Sequence, residues 1–122
     1  MKLYRVHYGN DVKQGIYRGN TGKNWCRISD IIDRMGLGNK FRDISRELHA
    51  PSFWEFDIEP NKDSLFYFKE SFINSYNDIF DNLIATASQL DITVNITTID
   101  LDTIQSYQCI YQDENQMCLN IK

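Results

Sequence analysis

Two histidines, His7 and His49, and three cysteines, Cys26, Cys109 and Cys118, are the residues of this 122-residue chain best suited to hold a metal or to attack an electrophile. Their spacing argues against a metal. The histidines stand 42 positions apart with no cysteine near either, whereas zinc sites take four ligands at short, recognisable intervals. Ordinary polar or packing roles are expected for both histidines, and no metal or other cofactor is expected. Cys26 follows Trp25 on the approach to a helix, where a thiolate is favoured, but no histidine stands where a base would be needed. A small half-buried thiol is the expected role there. Cys109 and Cys118 face each other if a four-residue loop occupies 112–115; directly opposed strand residues approach disulfide distance only with strain, so two reduced neighbours are expected.

Two glycine-rich stretches, Gly19-Asn20-Thr21-Gly22-Lys23 and Gly36-Leu37-Gly38-Asn39-Lys40, put glycines ahead of a lysine. Neither has the GxxxxGK[ST] or GxGxxG spacing that lets backbone N–H groups cradle a phosphate, so they read as turns. Charge carries more information. Residues 1–50 hold ten Lys/Arg against five acids, and residues 51–122 hold three Lys against twelve acids, which leaves a net charge of −4. A split of +5 against −9 points to a charged partner or to halves that neutralise one another. Tyr4, Arg5, Tyr8, Tyr17, Arg18, Trp25 and Arg27 interleave bases and aromatics as a single-strand binder would. Yet the whole chain is acidic, so direct nucleic-acid binding is not the leading expectation. The acids Glu55, Asp57, Asp78, Asp81, Asp100 and Asp102 come from a loop, a helix face and a strand end. Sharing one surface, they would mimic phosphate spacing and dock a basic groove with salt-sensitive kinetics. The plainer alternative is a solvated face that aids solubility.

The elements that position these groups follow from periodicity. Leu3–Tyr8 has strand composition, Gly9-Asn10-Asp11 is turn chemistry, and Gln14–Arg18 reads as the return strand of a hairpin. Ser29 caps an expected short helix over Asp30–Met35 that stops at Gly36, and Phe41–Leu48 reads as a second. His49–Asp63 has no period, holds both prolines, and reads as an ordered loop pinned by Phe53, Trp54 and Phe56. Leu65–Phe68 fits a strand or the lead-in to a helix. Phe72, Tyr76, Phe80, Leu83, Ala87 and Leu90 keep helical spacing, which predicts a long amphipathic helix from about Ser71 to Gln89. Ile92, Val94 and Ile96 alternate with polar residues as a half-buried strand, and Ser106–Tyr111 with Gln116–Ile121 forms a hairpin. Strands and helices do not alternate in βα units. The expected fold is therefore one α+β domain over 1–122, a largely antiparallel sheet packed by the long helix.

Composition sets further bounds. Hydrophobic residues make up 42% of the chain, enough for a core, and no apolar run nears the ~20 residues a membrane span needs. The start, Met1-Lys2-Leu3-Tyr4-Arg5, lacks the apolar stretch of a signal peptide, and three cysteines without CxxC spacing suit a reducing compartment. A cytoplasmic location follows as the expectation, and Asn95-Ile96-Thr97 reads as a chance glycosylation triplet.

Two resemblances add to this. Leu3-Tyr4-Arg5-Val6, Gly15-Ile16-Tyr17 and His49-Ala50-Pro51-Ser52-Phe53-Trp54-Glu55-Phe56-Asp57 resemble segments of uncharacterised small bacteriophage and prophage proteins. Those open with a Leu-Tyr-Arg-Val strand and a Gly-Pro-Tyr, and later carry His-Pro-x-Pro-Trp-x-Asp; Ile16, Ala50 and Phe53 depart from that pattern. The resemblance implies a phage-type accessory protein, an inhibitor of a host defence effector such as a CRISPR nuclease. The acidic residues would then contact its basic nucleic-acid channel, with Trp54 or Tyr67 as aromatic anchor. Separately, Tyr4-Arg5 with Gln112-Asp113-Glu114 is similar to elements of ADP-ribosyltransferases. That likeness implies Arg5 holding NAD and Glu114 orienting the ribose, although the Ser-Thr-Ser element is missing.

Overall fold

The computed structural model describes residues 1–13, 15, 36, 47–49 and 51–121. The expected strand at Gln14–Arg18, the helices at Asp30–Met35 and Phe41–Leu48, and Cys26 lie wholly or mostly outside them. Five strands form one antiparallel sheet: β1 (Lys2–Tyr8), β2 (Leu65–Lys69), β3 (Val94–Asp100), β4 (Tyr107–Gln112) and β5 (Gln116–Ile121), in the order β3-β1-β2-β5-β4. Between β2 and β3 run helices α1 (Glu70–Ser75) and α2 (Asn77–Gln89). The fold is α+β with an antiparallel sheet, as composition and periodicity predict. No helix among the described residues is long and apolar enough to cross a membrane.

The helical run that is continuous in sequence is two helices in space. Tyr76 leaves helical geometry at φ −121° and ψ 23°, and only its N–H reaches back, to Ile73 O at 3.3 Å. Ser75 donates its hydroxyl to Ser71 O, a local bond that competes with the helical ladder, and Asn74 and Asn77 flank the break with weak helix propensity. The bend keeps one aromatic cluster together: the Phe72 ring packs tilted against Tyr76, centroids 5.1 Å apart, and against Phe68 of β2 at 5.0 Å. α2 ends in a Schellman turn. Asp91 N–H donates to Ser88 O and Ile92 N–H to Ala87 O, with Asp91 at φ 58°, a left-handed position that usually belongs to glycine.

β1 runs beside β3 along all seven residues and meets β2 at Leu3 and Tyr4, so it lies inside the sheet. Its expected hairpin partner contributes, among the described residues, a single bridge from Gly15 to His7. Gly9 begins the turn after β1 at φ 62°, and Asp11 accepts from Lys13 N–H within it. Both sheet faces are apolar. On one, Val6, Phe68 and Val94 bury against Phe72, Phe80, Leu83 and Ala87 of the helices, with Leu48 alongside. On the other, Leu3, Leu65, Tyr67, Met117 and Leu119 pack with Leu101.

The β4–β5 hairpin forms as predicted, but a bulge between Cys109 and Tyr111 shifts its register. At the turn Gln112 pairs with Met117, so Cys118 opposes Tyr111 rather than Cys109, and beyond the bulge Cys109 opposes Leu119. The side-chain period of two then sends the thiols to opposite faces: Cys109 joins the Leu119 cluster, Cys118 the Phe66 cluster. Both are free thiols.

Candidate interaction loop

Pro51–Pro60 crosses the helix-bearing face of the sheet beyond the helices, over β5 and β4. Phe56 fixes it, with its ring 6.2 Å from Phe66 and 5.7 Å from Tyr111. Asp57 N–H donates to Ile110 O at 2.9 Å, where the bulge frees that carbonyl. The loop thereby covers the β4 edge.

A polar network holds its entry. Glu55 accepts from Ser52 N–H at 2.6 Å and meets His49 Nε2 at 2.8 Å. The Ser52 N–H, followed by the His49 bond, holds the Glu55 carboxyl below the ordinary carboxylate range. The His49 carbonyl accepts from Gln116 Nε2 at 2.7 Å, and the same Nε2 donates to Asp113 Oδ2 at 3.0 Å. Asp113 also accepts from Tyr111 Oη and from the N–H groups of Asn115 and Gln116. Partial burial pushes the Asp113 pKa up, but those donors outweigh it and hold the pKa below normal.

This clamp presents two large rings to solvent. Trp54 is 83% exposed and Phe53 69% exposed, in a 3-10 turn over Phe53–Glu55, with Ile58 exposed nearby. Of the three aromatics expected to pin the loop, only Phe56 does so. The other two flank a shallow cleft or stand clear, and Glu55, Asp57 and Glu59 are exposed among them. The exposure of Phe53 and Ile58 had no distinct signal in the sequence: an aromatic in an aperiodic loop reads as a pin until its neighbours are known.

The remaining acids sit apart from this loop. Asp78 and Asp81 are exposed on the first turns of α2, where Asp78 also suits the positive end of the helix. Asp100 and Asp102 lie at the end of β3 and hold the Met1 amino group at 3.4 and 3.0 Å. The Asp102 backbone N–H, and then that ammonium, keep Asp100 below the ordinary carboxylate range. β3 and β4 are opposite edges of the sheet, four strand spacings or about 19 Å apart, so Asp57 and Asp100 do not form one compact patch. Tyr67 is buried and cannot serve as an anchor.

Arg5 is 1% exposed. Its guanidinium donates to the carbonyls of Phe66 (2.9 Å), Lys13 (3.1 Å) and Val12, tying the turn after β1 to β2. Glu114 is exposed in the β4–β5 turn, and β1 and β4 are three spacings, about 14 Å, apart. A buried guanidinium spent on backbone carbonyls offers no donors to a nucleotide in solvent. His7, beside it, is buried with Nε2 2.7 Å from Thr97 Oγ1, and burial lowers its pKa. Comparison with known proteins returns no matching family model, no matching curated protein and no matching solved structure.

Proposed function

We propose that this protein is a non-enzymatic binding protein, an inhibitor encoded by a phage or other mobile element. In this reading it occupies a basic, nucleic-acid-handling surface of a host defence effector in the manner of an anti-CRISPR protein. The observation that carries the reading is Trp54, almost fully exposed on a loop that is anchored from beneath and also exposes Glu55, Asp57 and Glu59. A large ring held in solvent by a rigid clamp is hydrophobic area ready for burial, and tryptophan is the commonest kind of interface hot spot. The carboxylates of the same loop select a basic partner and speed encounter. Asp78, Asp81, Asp100 and Asp102 act in this scheme at longer range, through the field they add to the same acidic half.

The test is capture from host lysate at low and high salt, followed by a nucleic-acid-binding assay of the captured effector. Capture at low salt, release at high salt, and loss of the effector's nucleic-acid binding are the expected results. Trp54→Ala and the triple reversal Glu55→Lys/Asp57→Lys/Glu59→Lys should each abolish both effects while far-UV circular dichroism stays unchanged. Undiminished inhibition by the folded triple variant overturns the proposal.

A further inference from the structure

The two edges of the sheet are treated differently. β4 is interrupted by its bulge and capped by Asp57 N–H on Ile110 O. β3 is seven residues long, pairs with β1 without a register shift, and carries no proline, lysine or arginine, the usual devices that blunt an edge. The ladder fixes which of its backbone groups are spoken for. Gly9 N–H donates to Thr93 O and Leu101 N–H to Met1 O, so the odd-numbered residues of this stretch turn their backbone groups toward β1. Val94, Ile96, Thr98 and Asp100 therefore direct N–H and C=O away from the sheet. Among the described residues, no backbone group donates to or accepts from those of Val94, Ile96 or Thr98.

We infer that β3 is the interface between two copies of this chain, paired antiparallel across a two-fold axis to join the sheets edge to edge. The strand fits itself. With the axis at Thr97, Ile96 opposes Thr98 of the second copy and Val94 opposes its Asp100, so outward backbone groups face outward groups, the Asp100 carbonyl also accepting from Thr103 Oγ1 of its own chain. From Val94 to Ile99 the strand has no charge, and the acids Asp91 and Asp100 stand beyond its two ends. The two Asp100 carboxylates stand at opposite ends, about 20 Å apart over six residues, whereas a parallel arrangement would set them side by side. The half-buried Ile84 and the buried Ile92 line a cleft with Ser88, Val94, Asn95 and the exposed Asp91 along the start of this edge, and the second copy covers its apolar part. The aromatic–acidic loop lies at the far edge, so dimerisation leaves it accessible and makes the contact bivalent.

Sedimentation equilibrium of the full chain across micromolar concentrations, with backbone hydrogen exchange, tests this. A dimer is expected, with the Ile96 and Thr98 amides protected although they point out of the sheet. Thr98→Pro removes an N–H that β1 does not use and should raise the dimer dissociation constant by about tenfold or more with the sheet retained. Thr98→Lys, which keeps the N–H but charges the seam, should weaken the dimer as well. A monomer at every concentration overturns the inference, as does a dimer that both variants leave unchanged.

Discussion

Asp113→Asn should cost this protein about 2 kcal/mol, a figure that follows from who can turn around. The carboxylate receives four donors: Asn115 N–H at 2.8 Å and Gln116 N–H at 3.1 Å on Oδ1, Tyr111 Oη at 2.7 Å and Gln116 Nε2 at 3.0 Å on Oδ2. An asparagine keeps its oxygen toward the two backbone groups, since they cannot move, and aims its NH₂ at the other pair. The Tyr111 hydroxyl can rotate and accept instead. Gln116 cannot reverse its amide without losing His49 O at 2.7 Å, so two donors are left facing each other. One charge-assisted bond lost in a half-buried site, with the others weakened by loss of charge, amounts to about 2 kcal/mol. For a domain of this size that is a drop of roughly 8 °C in Tm. Urea titration should show a lower midpoint at unchanged slope, and limited proteolysis should cut sooner within Pro51–Pro60, because the His49 carbonyl is released. The folded Asp113 pKa lies below its unfolded value, so its stabilisation is present above the unfolded pKa, near 3.8, and is lost as pH falls through the folded value. That part of the acid limb should vanish in the variant. A change under about 0.5 kcal/mol, or an unaltered acid limb, would refute the reasoning.

Other outcomes follow from the same contacts. Glu55, whose pKa is likewise lowered by Ser52 N–H and His49, should lose its hold on the loop entry as pH falls below the ordinary carboxylate range; Trp54 fluorescence would report the release, and Glu55→Gln should flatten that transition. Asp91→Gly should stabilise by about 0.5–1 kcal/mol in thermal melts, because glycine adopts the left-handed position without Cβ strain. Phe80→Ala, which empties the centre of the helix–sheet core, should cost about 3–5 kcal/mol in urea titration. Burial pushes the Cys118 thiol pKa up to about 12, so Cys118 should resist alkylation at neutral pH until urea unfolds the chain, and no Cys109–Cys118 bond should appear by mass spectrometry under mild oxidation.

What the sequence determined by itself is the set of elements whose pattern is local. Alternation at Ile92–Thr97, the aromatic and aliphatic stripe from Phe72 to Leu90, and the two runs around Gln112–Asn115 each state their own period. The resulting strands and helices stand where periodicity puts them, to within a few residues. The absence of βα alternation was also legible, and with it the α+β class. The tertiary structure decided whatever depends on a second segment. A bulge at Cys109–Tyr111 moves one residue and sends the two cysteines to opposite faces. Arg5 looks like a solvent-facing base in sequence, yet it is buried because the turn at Val12 and Lys13 folds back to offer carbonyls. Phe53, Trp54 and Phe56 are alike as aromatics of an aperiodic loop, and only the position of Phe66, Tyr111 and Ile110 selects Phe56 to go inside. The acids divide between the Pro51–Pro60 loop, the start of α2 and the end of β3 for the same reason. Residue type sets what a side chain can do, whereas burial and partners are properties of pairs distant in the chain, which no local pattern encodes.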